Sequence, residues 1–369
     1  MYEEHLSQTI VALPEAALRK MIRLVRTCYA ISRMPAWRER IAPMLPETAR
    51  FDPGHDSVMM GYDFHLEDAT PRLIEINTNT GGGLLAHLVR HRAGTLEELE
   101  ADEGFKRRIL STFEREWSDF CGGRPRPLRG IAILDEKPRD QFLYREMQAF
   151  ARLLAPMAEK VLILDPSELC LEGDRLSSQG GAPDLIYNRH CDFYLETPAM
   201  APVKKQYLAR KICLTPNPFT YGLLGDKQRL CLLSDPEELA RLPLSENRRA
   251  LLQEMIPRTR KLEGLDADAL WKQRKKLVFK PATRFGSQGV FVGLKMTRGR
   301  FDELDAQTTL VQDYVAAPMI ETDTGQSMKY DLRLFVYRDR ILGITARLYR
   351  GQVTNMRTEG GGFAAVRIV

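Results

Sequence analysis

Asp63, Glu75 and Asn77 are the residues in this chain best placed to do chemistry together. Glu75 and Asn77 stand two apart in the apolar run Ile74-Glu75-Ile76-Asn77, and strand side chains alternate, so both face one side. Asp63 lies near the end of an earlier apolar run, residues 58–64, and the stretch Glu67-Asp68-Ala69-Thr70-Pro71 between the runs reads as a turn. A hairpin of residues 58–64 and 72–77 therefore gathers two carboxylates and a carboxamide in one small volume. Such a crowd is unfavourable unless a cation neutralises it. Oxygen donors of this kind suit Mg²⁺, which takes one or two carboxylates and completes its shell with phosphate oxygens and water. The plain alternative is a solvated strand end.

A second constellation lies some two hundred residues on. Lys280 ends the apolar run 277–281, and the loop Arg284-Phe285-Gly286-Ser287-Gln288-Gly289 leads into another short strand, Val290-Phe291-Val292. Two strands joined by such a loop can lay backbone N–H groups over phosphates, with the lysine adding a point charge. Because a strand and not a helix follows Gly289, this is not a Walker loop. The bland reading is a hairpin with a basic flank. Gln312-Asp313-Tyr314-Val315, on a strand expected over 310–315, would offer main-chain groups near Asp313 and Val315 to an adenine ring. Arg333, Arg347 and Arg350 lie on or beside strands of the last forty residues, with Asn355 after them. Asp331 and Arg333 share a face opposite Leu332 and Leu334, which marks a polar site or a solvent-facing antiparallel sheet. His87 and His91 are four apart, but no zincin glutamate follows and arginines flank them, so a surface helix is expected. No serine or cysteine has the surroundings of a nucleophile.

These residues need elements to hold them. The first 50 residues read as helices, with Leu18, Met21, Ile22, Leu24, Val25 and Tyr29 at helical spacing over 16–34, then Pro35 and Pro43. Asn79-Thr80-Gly81-Gly82-Gly83 opens a helix running to residue 92. Strands at 130–135 and 161–165 flank a helix at 141–154, a βαβ unit whose buried parallel strands are continuously apolar. A further strand, 185–187, leads into Asn188-Arg189-His190. This stretch reads as Rossmann-like, but its glycine fingerprint is missing, which argues against a dinucleotide site. Arg189, at a strand's carboxyl end where open α/β sheets place ligands, suits a substrate carboxylate; a structural pair with Asp192 is the competing reading. Past Pro216-Asn217-Pro218 a helix opens at Gly225-Asp226-Lys227. The class is α/β with α+β elements, divided at 1–123, 124–215 and 216–369, with a small lid around 263–310.

The 369 residues carry 54 basic and 49 acidic side chains, a net charge of +5. That excess is too small to argue for nucleic acid, and an anionic small molecule would account for it. No apolar run approaches the roughly 18 residues that read as a membrane span. The acidic start, Met1-Tyr2-Glu3-Glu4-His5, lacks a signal-peptide layout. Six scattered cysteines suggest neither a zinc ribbon nor a disulfide framework. A cytoplasmic protein is expected.

The order of these motifs resembles that of circularly permuted ATP-grasp ligases, namely eukaryotic-type glutathione synthetases and the synthetase domain of glutathionylspermidine synthase. The islands are Ile74-Glu75-Ile76-Asn77-Thr78 before a glycine-rich turn, Ile186-Tyr187-Asn188-Arg189, Gly225-Asp226-Lys227, Phe279-Lys280-Pro281 with its loop, and Gly360-Gly361-Gly362-Phe363-Ala364-Ala365. In ordinary ATP-grasp order the Glu-x-Asn strand follows the segment at 329–336; here it precedes it, and the residues up to Val369 leave no room for another. The resemblance implies Asp63, Glu75 and Asn77 on two Mg²⁺ ions, and Lys227 and Lys280 on ATP phosphates. Arg284, Ser287, Gln288, Gly289, Gln312, Asp313 and Val315 would complete the ATP site. Arg333 and Arg347 would act in catalysis, and Arg189, Asn79, Gly82, Arg350 and Asn355 would meet substrate. Thr283-Arg284-Phe285 lacks the acid that glutathione synthetases carry in the glycine loop, so the metal set looks like that of the glutathionylspermidine branch. The substrates of either family do not carry over.

The function expected is an ATP-dependent carboxylate–amine ligase. It would join a small-molecule acid and an amine (amino acid, peptide or polyamine) through an acylphosphate, releasing ADP and phosphate. No nucleic acid or membrane partner is expected, and the oligomeric state is open, a dimer included. The rival is a nucleotide-binding homologue without ligase activity, acting as a sensor or partner-binding module.

Overall fold

The computed structural model describes residues 6–91, 102–282, 289–352, 354–355 and 358–369, with only the backbone of residue 91. Its largest sheet draws on both ends of the chain. The strands run in the order Leu6–Leu13, Gly362–Ile368, Arg340–Tyr349, Ser327–Tyr337, Met60–Glu67, Thr70–Asn77, and Met319–Glu321 pairs beside Ser327–Tyr337. Only the first pairing is parallel; the others are antiparallel. The expectation of helices throughout the first 50 residues is corrected here. Leu6–Leu13 is a strand in which Thr9, Val11 and Leu13 are buried in alternation. Its partner lies at the far end of the chain, a pairing no local window reveals.

The helix Glu15–Ser32 forms as its spacing predicts and buries Met21, Leu24, Val25, Cys28 and Ile31. These join Tyr62, Phe64, Leu73, Leu332, Leu334, Ala346 and Ala364 in one core, so early and late segments share a single apolar interior.

A second sheet has four parallel strands in the order Ala158–Leu164, Leu128–Leu134, Leu185–Asn188, Cys213–Thr215. The helix Tyr144–Leu154 packs on it with Met147, Phe150 and Leu153. The helix Glu103–Phe120, absent from the sequence reading, adds Phe105, Ile109, Phe113 and Trp117 to the same core. The helix Gly83–His91 also belongs here. Leu84, Leu85, Leu88 and a nearly covered His87 pack beneath Phe335 and Phe363, so the expected surface helix is an interior one. His87 stacks on Phe105, ring centroids 3.7 Å apart, and faces Asp102 at 3.2 Å.

A third sheet is antiparallel, in the order Thr259–Lys261, Thr309–Asp313, Leu277–Pro281, Phe291–Val292. Phe279, Phe301, Val311, Leu270 and Leu277 give it a small core of its own. Before it, residues Tyr221–Gly225 form a wide helical turn, and the regular helix expected from Gly225 begins only at Gln228, over Gln228–Leu233.

Candidate active site

The large sheet and the small antiparallel sheet face each other across a cavity of about 440 Å³. Register explains which side chains reach it. Arg333 lies opposite Asp63, and Asp63 opposite Glu75, forming one cross-strand row; Asp331 lies opposite Arg347. Past Asp63 the pairing slips, so that Phe64 meets Leu73 and Ile74 bulges out of the ladder. The bulge leaves the Ile74 carbonyl to accept a hydrogen bond from the Lys280 ammonium at 3.2 Å. That contact ties the small sheet to the edge of the large one.

The charges in the cavity alternate. Both oxygens of Asp63 accept from Arg333, each at 2.6 Å, and Oδ2 also accepts from Arg347 at 2.9 Å and from the Asn77 amide at 3.2 Å. Arg347 reaches on to Asp331 through Nε at 2.7 Å. Burial pushes the Asp63 carboxyl up, but the two guanidinium groups outweigh it and hold its pKa at about 2. The Lys227 ammonium lies 2.9 Å from Glu75. Burial likewise raises Glu75, and Lys227 brings it below its ordinary value. Lys280, 8% exposed, is lowered to about 8 by burial, against the pull of Glu75.

Of the residues singled out from the sequence, Asp63, Glu75, Asn77, Lys227, Lys280, Gln312, Asp313, Val315, Arg333, Arg347 and Asn355 all line this one cavity. Arg284, Ser287 and Gln288 lie outside the described residues. Gly289 turns with φ of 72°, and its neighbour Val290 lines the cavity in its place. Of the substrate-binding set only Asn355 lines the cavity, and the other four make their contacts within the protein. Arg189 is buried and paired with Glu146 at 3.0 Å, not with Asp192. Asp192 instead caps Glu196 and Thr197. Asn79 donates to the carbonyls of Asn188 and His190, Gly82 donates to Glu146, and Arg350 donates to Gln326. None of these four lines the cavity.

Sequence reasoning overlooked His65, Tyr349 and Val278, which also line it. A signal was available, since each stands two residues from an assigned one (Asp63, Arg347, Lys280) and so shares its strand face. His65 Nδ1 lies 3.0 Å from the Val315 carbonyl oxygen, which can only accept, so the ring donates there in its Nδ1–H form. Burial lowers its pKa. Phe142 carried no such signal.

Among the described residues no group of three or more His, Cys, Asp or Glu is arranged to hold a metal ion. One Cys–His–Glu array does exist elsewhere. Cys213 Sγ is 3.9 Å from His55 Nε2, and His55 Nδ1 is 2.8 Å from Glu116. All three are buried, and burial raises the thiol, so the array is sealed from any substrate.

No family model matches the sequence. No curated protein matches it either. Among solved structures the chain is similar to a glutathione synthetase-like effector from Globodera pallida in its apoform, with TM-score 0.57 and 11% identity, over 99% of this chain and 90% of that one. It is also similar to a putative gamma-glutamylcysteine synthetase from Methylobacillus flagellatus KT, with TM-score 0.51 and 11% identity, over 95% and 87%. The ATP-grasp ligase PsnB, solved with a minimal precursor, Mg and ADP, overlaps more loosely, with TM-score 0.31 and 12% identity, over 64% and 87%. In fold, this chain is glutathione synthetase-like.

Proposed function

We propose that the cavity is the active site of an ATP-dependent carboxylate–amine ligase built on a circularly permuted ATP-grasp frame. The observation that carries this reading is the convergence of Lys227, Lys280, Arg333 and Arg347 with Glu75 and Asn77 on one cavity beside an apolar slot. Val278, Val290 and Val292 would cover one face of adenine, with main-chain groups of Asp313 and Val315 at its edge. The four cations are offset by Asp63, Glu75 and Asp331, so a triphosphate here would need Mg²⁺ to balance its charge. In phosphoryl transfer the protein supplies mainly position and charge, so the lack of a side-chain nucleophile is no obstacle. The substrate carboxylate would attack the terminal phosphoryl group, ADP would leave, and an amine would displace phosphate from the acylphosphate to give an amide.

The fit to Mg²⁺ is narrower than the sequence suggests. Asp63 accepts four hydrogen bonds, three of them at Oδ2 and one at Oδ1, and two arginines already neutralise it, so at most Oδ1 has an acceptor site to spare. Glu75 and the Asn77 amide oxygen are the better donors, with phosphate oxygens and water completing the shell. Bound there, Mg²⁺ would neutralise charge on the transferring phosphoryl group. Within this reading residues 124–215 form a Rossmann-like substrate domain, 1–123 and 216–369 the nucleotide-binding frame, and 263–310 a lid. The acid and the amine are small molecules such as amino acids, peptides or polyamines.

The test is phosphate release from ATP and Mg²⁺ in the presence of pooled acids and amines, with mass spectrometry of the product. Amide formation dependent on ATP is expected; no turnover with any pool overturns the ligase reading. The pairing of Asp63 with both Arg333 and Arg347 favours a second reading, nucleotide binding without ligation in a sensor or partner-binding protein. Saturable ATP binding without turnover would select it.

A further inference from the structure

Gln312 borders the cavity, yet its hydrogen bonds face inward. Thr259 lies directly opposite Gln312 on one side, and Val278 directly opposite on the other. Lys280, two residues from Val278, projects from the same face. The Gln312 side chain is used at both ends. Oε1 accepts from Lys280 Nζ at 2.6 Å, and Nε2 donates to Thr259 Oγ1 at 3.0 Å. The Thr259 hydroxyl spends its proton on the Pro257 carbonyl at 2.9 Å, so its oxygen must accept. An ammonium has no acceptor, so the atom facing it is the amide oxygen. The chain of donors thus has one polarity, from Lys280 through Gln312 and Thr259 to Pro257. Gln312 and Thr259 are each 2% exposed, and water is not available to replace them.

We infer that Gln312 is a positioning residue: with the bulged Ile74 carbonyl it aims the Lys280 ammonium into the cavity and does not itself read the nucleotide. Two of the three ammonium protons are committed, to Ile74 and Gln312, which fixes the direction of the third. Both acceptors are neutral, so they orient the charge without cancelling it, as a carboxylate in either place would. The proposal rests on the reading that this cavity binds a nucleoside triphosphate.

The test compares ATP with adenosine, which lacks phosphates, by calorimetric titration of the parent, Gln312→Leu, Gln312→Glu, Thr259→Val, Lys280→Met and the Gln312→Leu/Lys280→Met double variant. Gln312→Leu should weaken ATP about tenfold and leave adenosine within about twofold, since a hydrogen bond to a charged group is lost at the phosphate end alone. Gln312→Glu sets a carboxylate against the Lys280 ammonium and loses the donor to Thr259, so it too should weaken ATP while leaving adenosine within about twofold. In the Lys280→Met background, Gln312→Leu should cost nothing further. Equal weakening of ATP and adenosine, or full additivity in the double variant, overturns the proposal and leaves Gln312 a structural residue of the strand Thr309–Asp313. If Gln312→Leu fails to fold, Thr259→Val carries the same comparison, because it removes the partner that orients the amide. A parent that does not bind ATP overturns the nucleotide reading itself, an outcome distinct from a parent that binds ATP and a Gln312 variant that matches it.

Discussion

Lys280 and Asp63 show opposite solutions to burying a charge. Lys280 sits on neutral acceptors, and burial lowers its pKa from 10.5 to about 8. Two consequences have opposite sign. ATP affinity should fall as pH rises through about 8, because the ammonium loses its charge. Stability should gain from this group over the same rise, between about 8 and 10.5, because there the unfolded chain binds the extra proton. Titrations and thermal melts across this window check both. Lys280→Met should weaken ATP about tenfold or more and melt no lower than the parent. Asp63 is instead surrounded by donors. Its pKa, lowered from 3.8 to about 2, contributes stability that is complete above 3.8 and lost as pH falls towards 2. Asp63→Ala should cost about 3–5 kcal/mol in urea unfolding, because Arg333 and Arg347 lose a buried counter-charge.

At the scale of an element, the turn before the helix Gly83–His91 is held by a carboxylate from another part of the chain. Glu146 accepts from the backbone N–H groups of Gly82 and Leu84 at 2.9 and 3.0 Å and from Arg189 at 3.0 Å. An anion at a helix start is favoured by the unpaired N–H groups there, and Arg189 completes its neutralisation. Arg189→Met should therefore lower stability by about 3–5 kcal/mol, leaving Glu146 buried and unpaired. A raised KM for the acid substrate at unchanged melting temperature would instead return Arg189 to substrate binding. Gly82 has φ of 91°, and a Cβ there would run into the Phe363 ring. Gly82→Ala should cost about 1–3 kcal/mol from strain and overpacking, read as a fall in melting temperature.

At the scale of the molecule, a buried polar knot joins segments distant in sequence. Glu116 accepts from Tyr337 at 2.7 Å, pairs with Arg338 at 3.2 Å and faces His55 at 2.8 Å, while Cys213 approaches His55 from the parallel sheet. Burial alone would depress the imidazole, but Cys213 and Glu116 together lift its pKa well above 6.5. A raised folded value means stability that is full below 6.5 and lost as pH climbs through the folded pKa. His55→Asn should flatten that alkaline decline, as chemical denaturation at a series of pH values would show.

The short-range patterns were legible in the sequence by itself. Alternation and turn residues determined the hairpin that carries Asp63, Glu75 and Asn77, the strand ending in Lys280, and the βαβ unit, because each is written in contiguous side chains. Tertiary structure decided the rest. The pairing of Leu6–Leu13 with Gly362–Ile368 depends on segments at opposite ends of the chain. The bulge at Ile74 arises from register, not composition. The commitments of Asp63 to two arginines and of Arg189 to Glu146 follow from which strands and helices become neighbours. A residue type announces what chemistry it can do, but its counter-charges come from elements far away in sequence. Only their packing settles whether a charged group is offered to a ligand or spent on the protein itself.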